Sequence, residues 1–524
     1  MPDEIISPTS KTSRPGPQVV LDQPRLAFGL VAAFAAVKLL VHFITIAVTP
    51  YGIHRDEFLY LAMGQHLRSW CMDFPPAIAV LAQVARSLFG DTLFAVRFFP
   101  AIAGTLLVIA TGLLTRELGG RRFAQGLAMF ALFSSPLFLR PAALFQPVVW
   151  DQLWWTLGFF ALVKFAQSAA PRWWLVLGMA GGLGLLTKFS IGFFALGVLG
   201  ALLLSPQRVA LATRWPYLAM LVALLVGSPS IIGQIRLDLP VVFHMRELQT
   251  QQLQHVTFGK LLMGKVDMFG PVVLLAVAGA VCLLAARFMR PYRVVGWTAV
   301  IAFLVLLVLH GKPYYIGPVY PTLFAAGAVA IETMPVRWRR VVGGAAIVLI
   351  AGWGAGTLPF GLPILPPSQM AKYAAAWVSR GAVTTNRGTT LALPQDYADM
   401  LCWEEQVAAV ARVYQSLPAD QRADAVIIAR NYGEAGALEF FGPRHVLPRR
   451  VLLPGNDLLW PPPANEAVAV AVTLGISTNG LSRFFRSVRV VARFDDPWMV
   501  DEERDLPICV AEQPYRSIAE AWSP

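Results

Sequence analysis

The chain has 524 residues, of which 56% are hydrophobic and only 14% charged, a composition that water does not solvate and that excludes a soluble enzyme. Its net charge of +12 is carried by clusters that cap apolar runs: Arg116, Arg121 and Arg122; Arg287, Arg290 and Arg293; Arg337, Arg339 and Arg340. That is the placement of positive-inside anchors, so nucleic acid is excluded as a partner.

In chain order, residues 1–25 are polar and rich in Pro and Ser, with Lys11, Arg14 and Arg25 ahead of the first apolar run. They read as a disordered cytoplasmic tail. Leu26 to Val48 exceeds the apolar core of a cleavable signal and has no small-residue cleavage site after it, so it stays as a span. Ten further runs, of 14 to 22 residues, lie near 94–115, 123–139, 147–165, 173–186, 189–204, 215–235, 267–286, 294–310, 314–331 and 341–360, most of them close to the length a helix needs to cross hydrocarbon. The expected fold is an α-helical polytopic membrane protein with about eleven transmembrane helices. With the N-terminus inside, inner segments carry about sixteen Lys and Arg against about eleven outside.

The first outer loop, 49–93, is longer than a connector requires. Glu57 to Arg68 and Ala77 to Phe89 have the apolar spacing of amphipathic helices lying at a membrane surface, separated by the sharp break Asp73-Phe74-Pro75-Pro76. After residue 360 the composition changes. Pro363, Pro366 and Pro367 form a linker to a charged, soluble, extracytoplasmic domain over 361–524. There Cys402 to Leu417 and Gly433 to Phe441 read as helices, and Ala425 to Arg430 and Ala467 to Thr473 as strands; an α/β sandwich is expected. The four cysteines are too widely spaced for a zinc knuckle or a disulfide framework, although sequence leaves a Cys402–Cys509 bridge open.

Three places carry ionisable groups that an apolar chain does not need. His54-Arg55-Asp56-Glu57 puts adjacent carboxylates just past the first span. The simple reading is a helix N-cap with acids favouring the helix dipole; the functional one is a catalytic pair. Asp151, in Val149-Trp150-Asp151-Gln152, opens an apolar span, where an acid is costly unless partnered. Its alternative is a structural pair with a neighbouring helix. Lys188, in Leu186-Thr187-Lys188-Phe189, and Lys312, in Gly311-Lys312-Pro313-Tyr314-Tyr315, fall on the same face. Each alone could snorkel to headgroups, but two lysines converging with carboxylates make an anion site beside a base, suited to transfer from a phosphate leaving group. Gly181-Gly182-Leu183-Gly184 reads as close helix packing. There is no Asp-x-Asp triplet, so a metal-bound sugar-nucleotide site has no support, and no metal or cofactor is expected.

The order Arg-Asp-Glu, Asp-x-Pro-Pro, an Asp entering the fourth span, Thr-Lys between spans five and six, and Gly-Lys-Pro-Tyr-Tyr-x-x-Pro resembles glycosyltransferase family 39 over residues 26–331. The family includes protein O-mannosyltransferases and lipid A aminoarabinose transferases. The resemblance implies a GT-C fold for residues 26–360, a polyprenyl-phosphate-linked sugar donor, and inverting transfer to a hydroxyl on the extracytoplasmic face of a bacterial inner membrane. It implies Asp56 as the main catalytic acid-base group, beside Glu57, with Asp151 as second carboxylate. Lys312 and Tyr315 match a pair near the donor phosphate; Arg55, Asp73 and Lys188 match positions lining the same cavity. Phe74 departs from the family, where His or Gln is common. The competing expectations are a transporter or flippase of lipid-linked sugars, against which no internal repeat is seen, and a membrane anchor for a soluble domain that binds through Asn431-Tyr432-Gly433-Glu434 or Glu404-Glu405.

Overall fold

The computed structural model describes residues 23–68, 70–251, 268–309, 311–377, 383–385, 387–448, 451–455, 459–460, 468–518 and 520; the expected N-terminal tail lies outside them up to residue 22. The first part of the chain is helical. In order come α1 (Phe28–Val48), α2 (Arg55–Gln65), α3 (Ala77–Phe89), α4 (Leu93–Glu117), α5 (Arg122–Phe133), α6 (Pro136–Leu139), α7 (Val148–Ser168), α8 (Arg172–Leu185), α9 (Ile191–Leu203), α10 (Trp215–Arg236), α11 (Pro240–Gln251), α12 (Val272–Ala285), α13 (Arg293–Val308), α14 (Tyr320–Glu332) and α15 (Val336–Gly361).

Among the described residues six helices are long and apolar enough to cross a membrane, or eight if each of two bent pairs is one span. The chain is a multi-pass membrane protein. Of the eleven expected spans, six to eight meet this test, with Arg287–Val308 and Tyr314–Glu332 each counted through the 3-10 turn that precedes α13 and α14; α8 and α12 have 14 residues each. At 1.5 Å per residue each is about 20 Å long, short of a hydrocarbon core of about 30 Å. The run 123–139 is broken as well, because Ser134 and Ser135 precede Pro136 and the helix turns through 81° there. Proline cannot continue the hydrogen-bond ladder, and the residue before it avoids the helical region.

Helices in lipid gain little from apolar area and associate where small residues let backbones approach. Gly178 and Gly182 of α8 lie directly on Ala219 and Val226 of α10, leaving no space for a side chain. Gly279 of α12 and Gly327 of α14 make the same kind of contact with each other's helices, at Leu323 and Leu275.

The C-terminal region adds α16 (Pro367–Ala376), α17 (Gln395–Ala398), α18 (Trp403–Gln415), α19 (Ala419–Asp424), α20 (Tyr432–Phe441) and α21 (Thr478–Leu481). One five-stranded sheet forms its centre: β1 (Val426–Ala429), β2 (Val451–Leu452), β3 (Val470–Leu474), β4 (Phe485–Phe494) and β5 (Leu506–Pro514), in the order β2-β1-β3-β5-β4. β1 runs parallel to β2 and β3, with Ile427 opposite Val472, and β5 runs antiparallel to β3 and β4. Strands β2, β4 and β5 are not anticipated from sequence; β2 has only two residues, and in the outermost strand β4 Arg486, Arg489 and Arg493 interrupt the apolar pattern. All four cysteines are free.

The core of this region does not close on itself. Ile53, Phe58, Leu61 and Met63 of the first loop share one apolar cluster with Trp403, Val407, Leu438, Phe440, Val472 and Ile508. Phe58 is fully buried, its ring edge-on to Trp403, Phe440 and Phe441 at 5.6, 6.1 and 5.8 Å. Helix α2 is therefore an interior helix between α3 and α20, not the surface-lying helix its spacing predicts. Helix α3 keeps the expected two-faced character: Ile78, Ala79, Ala82 and Ala85 are buried, while Val80, Val84 and Leu88 are exposed.

Candidate functional site

Helix α2 begins with a reciprocal cap. His54 Nδ1 accepts from the Asp56 N–H at 3.0 Å, and the His54 N–H donates to Glu57 Oε2 at 2.6 Å. This fixes the first turn, where the unpaired N–H groups favour carboxylates, and it sends Asp56 and Glu57 in different directions.

Glu57 is fully buried and engaged. It accepts from the Phe145 N–H at 2.8 Å and pairs with the buried Arg97 at 3.3 Å, while Arg97 also donates to the Gly52 carbonyl at 2.7 Å. Glu57, expected as a catalytic carboxylate, is tied through these contacts to α4 and to the segment before α7. Arg55 is also committed elsewhere. Its guanidinium pairs with Glu502, lies 3.9 Å from Asp399 and stacks on the Tyr432 ring at 5.3 Å. Expected to line the cavity, its guanidinium contacts the C-terminal region.

Asp56 receives two hydrogen bonds, one on each oxygen. The Tyr432 hydroxyl donates to Oδ1 at 2.8 Å, and Gln146 Nε2 donates to Oδ2 at 3.1 Å. Lys312 stands within the electrostatic reach of Asp56, Lys188 and Asp396. Lys188 lies over the rings of Tyr315 and Tyr314, at 4.8 and 5.4 Å, and faces Asp151. Asp151 is 2% exposed, beside Lys188, Ser190 and Trp155. Asp56, Lys312, Lys188 and Asp151 thus lie within electrostatic reach of one another in succession, drawn from α2, the turn before α14, the turn between α8 and α9, and the start of α7.

The margins of the cluster explain further residues. Asp73 accepts from the Phe74 N–H at 3.1 Å, and its own carbonyl accepts from Gln234 at 2.6 Å. Burial pushes the Asp73 carboxyl above its ordinary range, against the pull of its own and the Phe74 backbone N–H and of His244. Phe74, the departure from the family pattern, packs edge-on against His244 of α11 at 5.5 Å. Asp396 of α17 pairs with Arg140 at 2.6 Å and lies 3.9 Å from His54. Burial raises its carboxyl, but Arg140, His54 and Lys312 together hold it below the usual range. For Lys312, burial pulls the ammonium below the ordinary lysine value, with Asp56 opposing.

Sequence reasoning did not find Gln146, Arg140, Asp396 or His244, since single polar residues near interfaces have no distinguishing pattern. Tyr432 carried a signal, because Asn431-Tyr432-Gly433-Glu434 stands out as a turn, but nothing in that turn names Asp56 as its target.

Residues 73–232 match the family model of dolichyl-phosphate-mannose-protein mannosyltransferase, a stretch that includes Asp73, Asp151 and Lys188. The resemblance to glycosyltransferase family 39 holds. In overall structure the chain is similar to ArnT from Cupriavidus metallidurans solved with undecaprenyl phosphate, with a TM-score of 0.60 at 19% identity over 92% of this chain and 98% of that one. The apo form of the same protein gives 0.59 at 18% identity, over 95% and 100%. The oligosaccharyltransferase AglB from Archaeoglobus fulgidus, in complex with an inhibitory peptide and a dolichol-phosphate, gives 0.51 at 12% identity, over 79% and 63%. The shared architecture is the GT-C fold. A sequence search of curated proteins gave no match.

Proposed function

We propose that this protein is a membrane glycosyltransferase that moves a sugar from a polyprenyl-phosphate donor to an acceptor hydroxyl, with inversion, on the extracytoplasmic face of a bacterial inner membrane. The observation that carries the reading is the neighbourhood of Asp56, Lys312, Lys188 and Asp151 in one cluster. A base beside fixed cations is what displacement of a phosphate requires.

Asp56 takes the proton of the acceptor hydroxyl as its oxygen attacks the anomeric carbon from the side opposite the phosphate. The bond from that carbon to the phosphate oxygen breaks, its electron pair stays on the departing lipid phosphate, and Lys312 and Lys188 stabilise the charge. The fixed cations need no reorganisation during the step, which is where electrostatic stabilisation gains most. Tyr314 and Tyr315 flank Lys188 and leave Tyr315 at the phosphate. Asp151 favours the charged form of Lys188 through space, and Asp73 lines the margin toward α11. Glu57 and Arg55 support the loop that carries Asp56. The soluble character of residues 361–524 and their place outside the cytoplasm belong to the same proposal.

The test is reconstitution. Purified protein in liposomes is given undecaprenyl-phosphate-linked hexoses and pentoses together with a cell-envelope extract, and both glycoside and free undecaprenyl phosphate are measured. Equimolar release of the two supports the reading. Movement of the intact donor across the bilayer without glycoside formation identifies a transporter instead.

A further inference from the structure

We propose that the C-terminal region completes the site in the membrane part, and that Tyr432 is a positioning residue for Asp56. This rests on the reading of Asp56 as the base. The juxtaposition is direct: a hydroxyl 376 positions away in sequence donates to Asp56 Oδ1 at 2.8 Å, while Gln146 holds Oδ2 at 3.1 Å.

A carboxylate at a helix start can rotate about two side-chain bonds. A donor on each oxygen removes that freedom, and each oxygen keeps acceptor capacity for a substrate hydroxyl. A base held in line is effective because orientation is supplied before the reaction begins. Tyr432 can act this way only if it is itself fixed, and four features fix it. Asn431 caps α20 by accepting from the Gly433 and Glu434 N–H groups at 2.9 and 3.1 Å, and its own amide donates to Glu503 at 2.8 Å. The Arg55 guanidinium lies over the Tyr432 ring and ties it to Glu502. A Cβ on Gly433 would stand 2.7 Å from Arg55 Cγ, and one on Gly436 would stand 2.7 Å from Phe58 Cβ, so α20 sits on α2 at backbone contact. The buried Phe58 ring then locks the pair against Trp403 and Phe440. A hydroxyl that merely fills the acceptor's place until substrate arrives would need freedom to leave, and this one is built in.

Tyr432→Phe keeps the ring over Arg55 and removes only the donor. In the full-length reconstituted protein, with the undecaprenyl-phosphate-linked sugars and envelope extract as substrates, kcat should fall about 10- to 100-fold. KM for the donor should change less than about twofold, since ground-state binding is untouched. In an Asp56→Asn background the same substitution should cause no further loss, because there is no charged base to orient. Gly436→Ala, which pushes α20 and with it Tyr432 away from α2 while changing no polar side chain of the cluster, should give the same fall in kcat and keeps the proposal testable if Tyr432→Phe does not fold. Unchanged or increased kcat in Tyr432→Phe with Asp56→Asn inactive overturns the positioning role alone. An equal loss in the Asp56→Asn background reduces Tyr432 to a structural contact and also overturns it. An active Asp56→Asn overturns the reading of the base itself.

Discussion

Lys312 is the residue at which burial and charge oppose each other most clearly. Burial lowers its pKa, Asp56 and Asp396 raise it and Lys188 lowers it further, so its ammonium loses its proton at lower pH than a free lysine. A bound phosphate would favour the charged form. Binding of undecaprenyl phosphate should therefore weaken as pH rises through the lowered lysine value, and in Lys312→Arg it should persist to higher pH because guanidinium stays charged. Lys312→Met should weaken binding about 10- to 100-fold, the cost of a charge-assisted hydrogen bond; titration by intrinsic fluorescence would read both. Asp151 and Lys188 were legible in the sequence because a charge in an apolar run has few cheap explanations. Tyr432 was not, since a tyrosine in a strand-to-helix turn is fully accounted for by its local surroundings. Only the fold brings it to Asp56.

Helix α2 turns on one buried ion pair and one buried ring. Glu57 and Arg97 are both almost completely excluded from solvent, where removing one partner leaves an uncompensated charge. Glu57→Gln should cost about 3–5 kcal/mol, read as a lower melting temperature in detergent, whereas replacing both partners by apolar residues should cost less. Transfer per folded molecule should survive far better in Glu57→Gln than in a variant of Asp56, a contrast that separates support from chemistry. Phe58→Ala should cost about 3–5 kcal/mol and loosen α20 from α2, measurable as faster amide exchange in both helices. The helical spacing of α2 and its capping residues were visible in the sequence. Its burial was not, because the residues that cover it, Trp403, Leu438 and Phe440, lie more than 300 positions away and have their own local pattern as parts of α18 and α20. The two-faced α3 was predicted correctly because its apolar spacing needs no distant partner to explain it.

On the scale of the whole molecule, the membrane helices and the C-terminal region meet through a shared core and a chain of polar contacts at Arg55, Asp56, Asp396 and Asp399. Asp399 is pushed up to about 7, first by burial and further by Asp56 and Asp396, against His54 and Arg55. Its folded value lies above that of an unfolded aspartate, so the native state keeps a proton that the unfolded chain has released. The stability it contributes is fully present below about pH 4 and is lost as pH rises through 7. Glu434, raised by burial and by Glu503, adds in the same direction. Limited proteolysis of the C-terminal region should therefore be slower at pH 5 than at pH 8, and Asp399→Asn should flatten that dependence. The apolar runs made the membrane character and the helical class plain from sequence, and the order of the short motifs pointed to the family. The bend within the run 123–139 was not legible, because a run of apolar residues does not reveal how Ser134, Ser135 and Pro136 turn it. The most direct measurement is the transfer rate of Asp56→Asn against the unmodified protein, both reconstituted and both verified as folded by their melting temperatures. A fall of about 10² to 10⁴ or more with unchanged melting is the expected result; transfer at the unmodified rate would contradict the account.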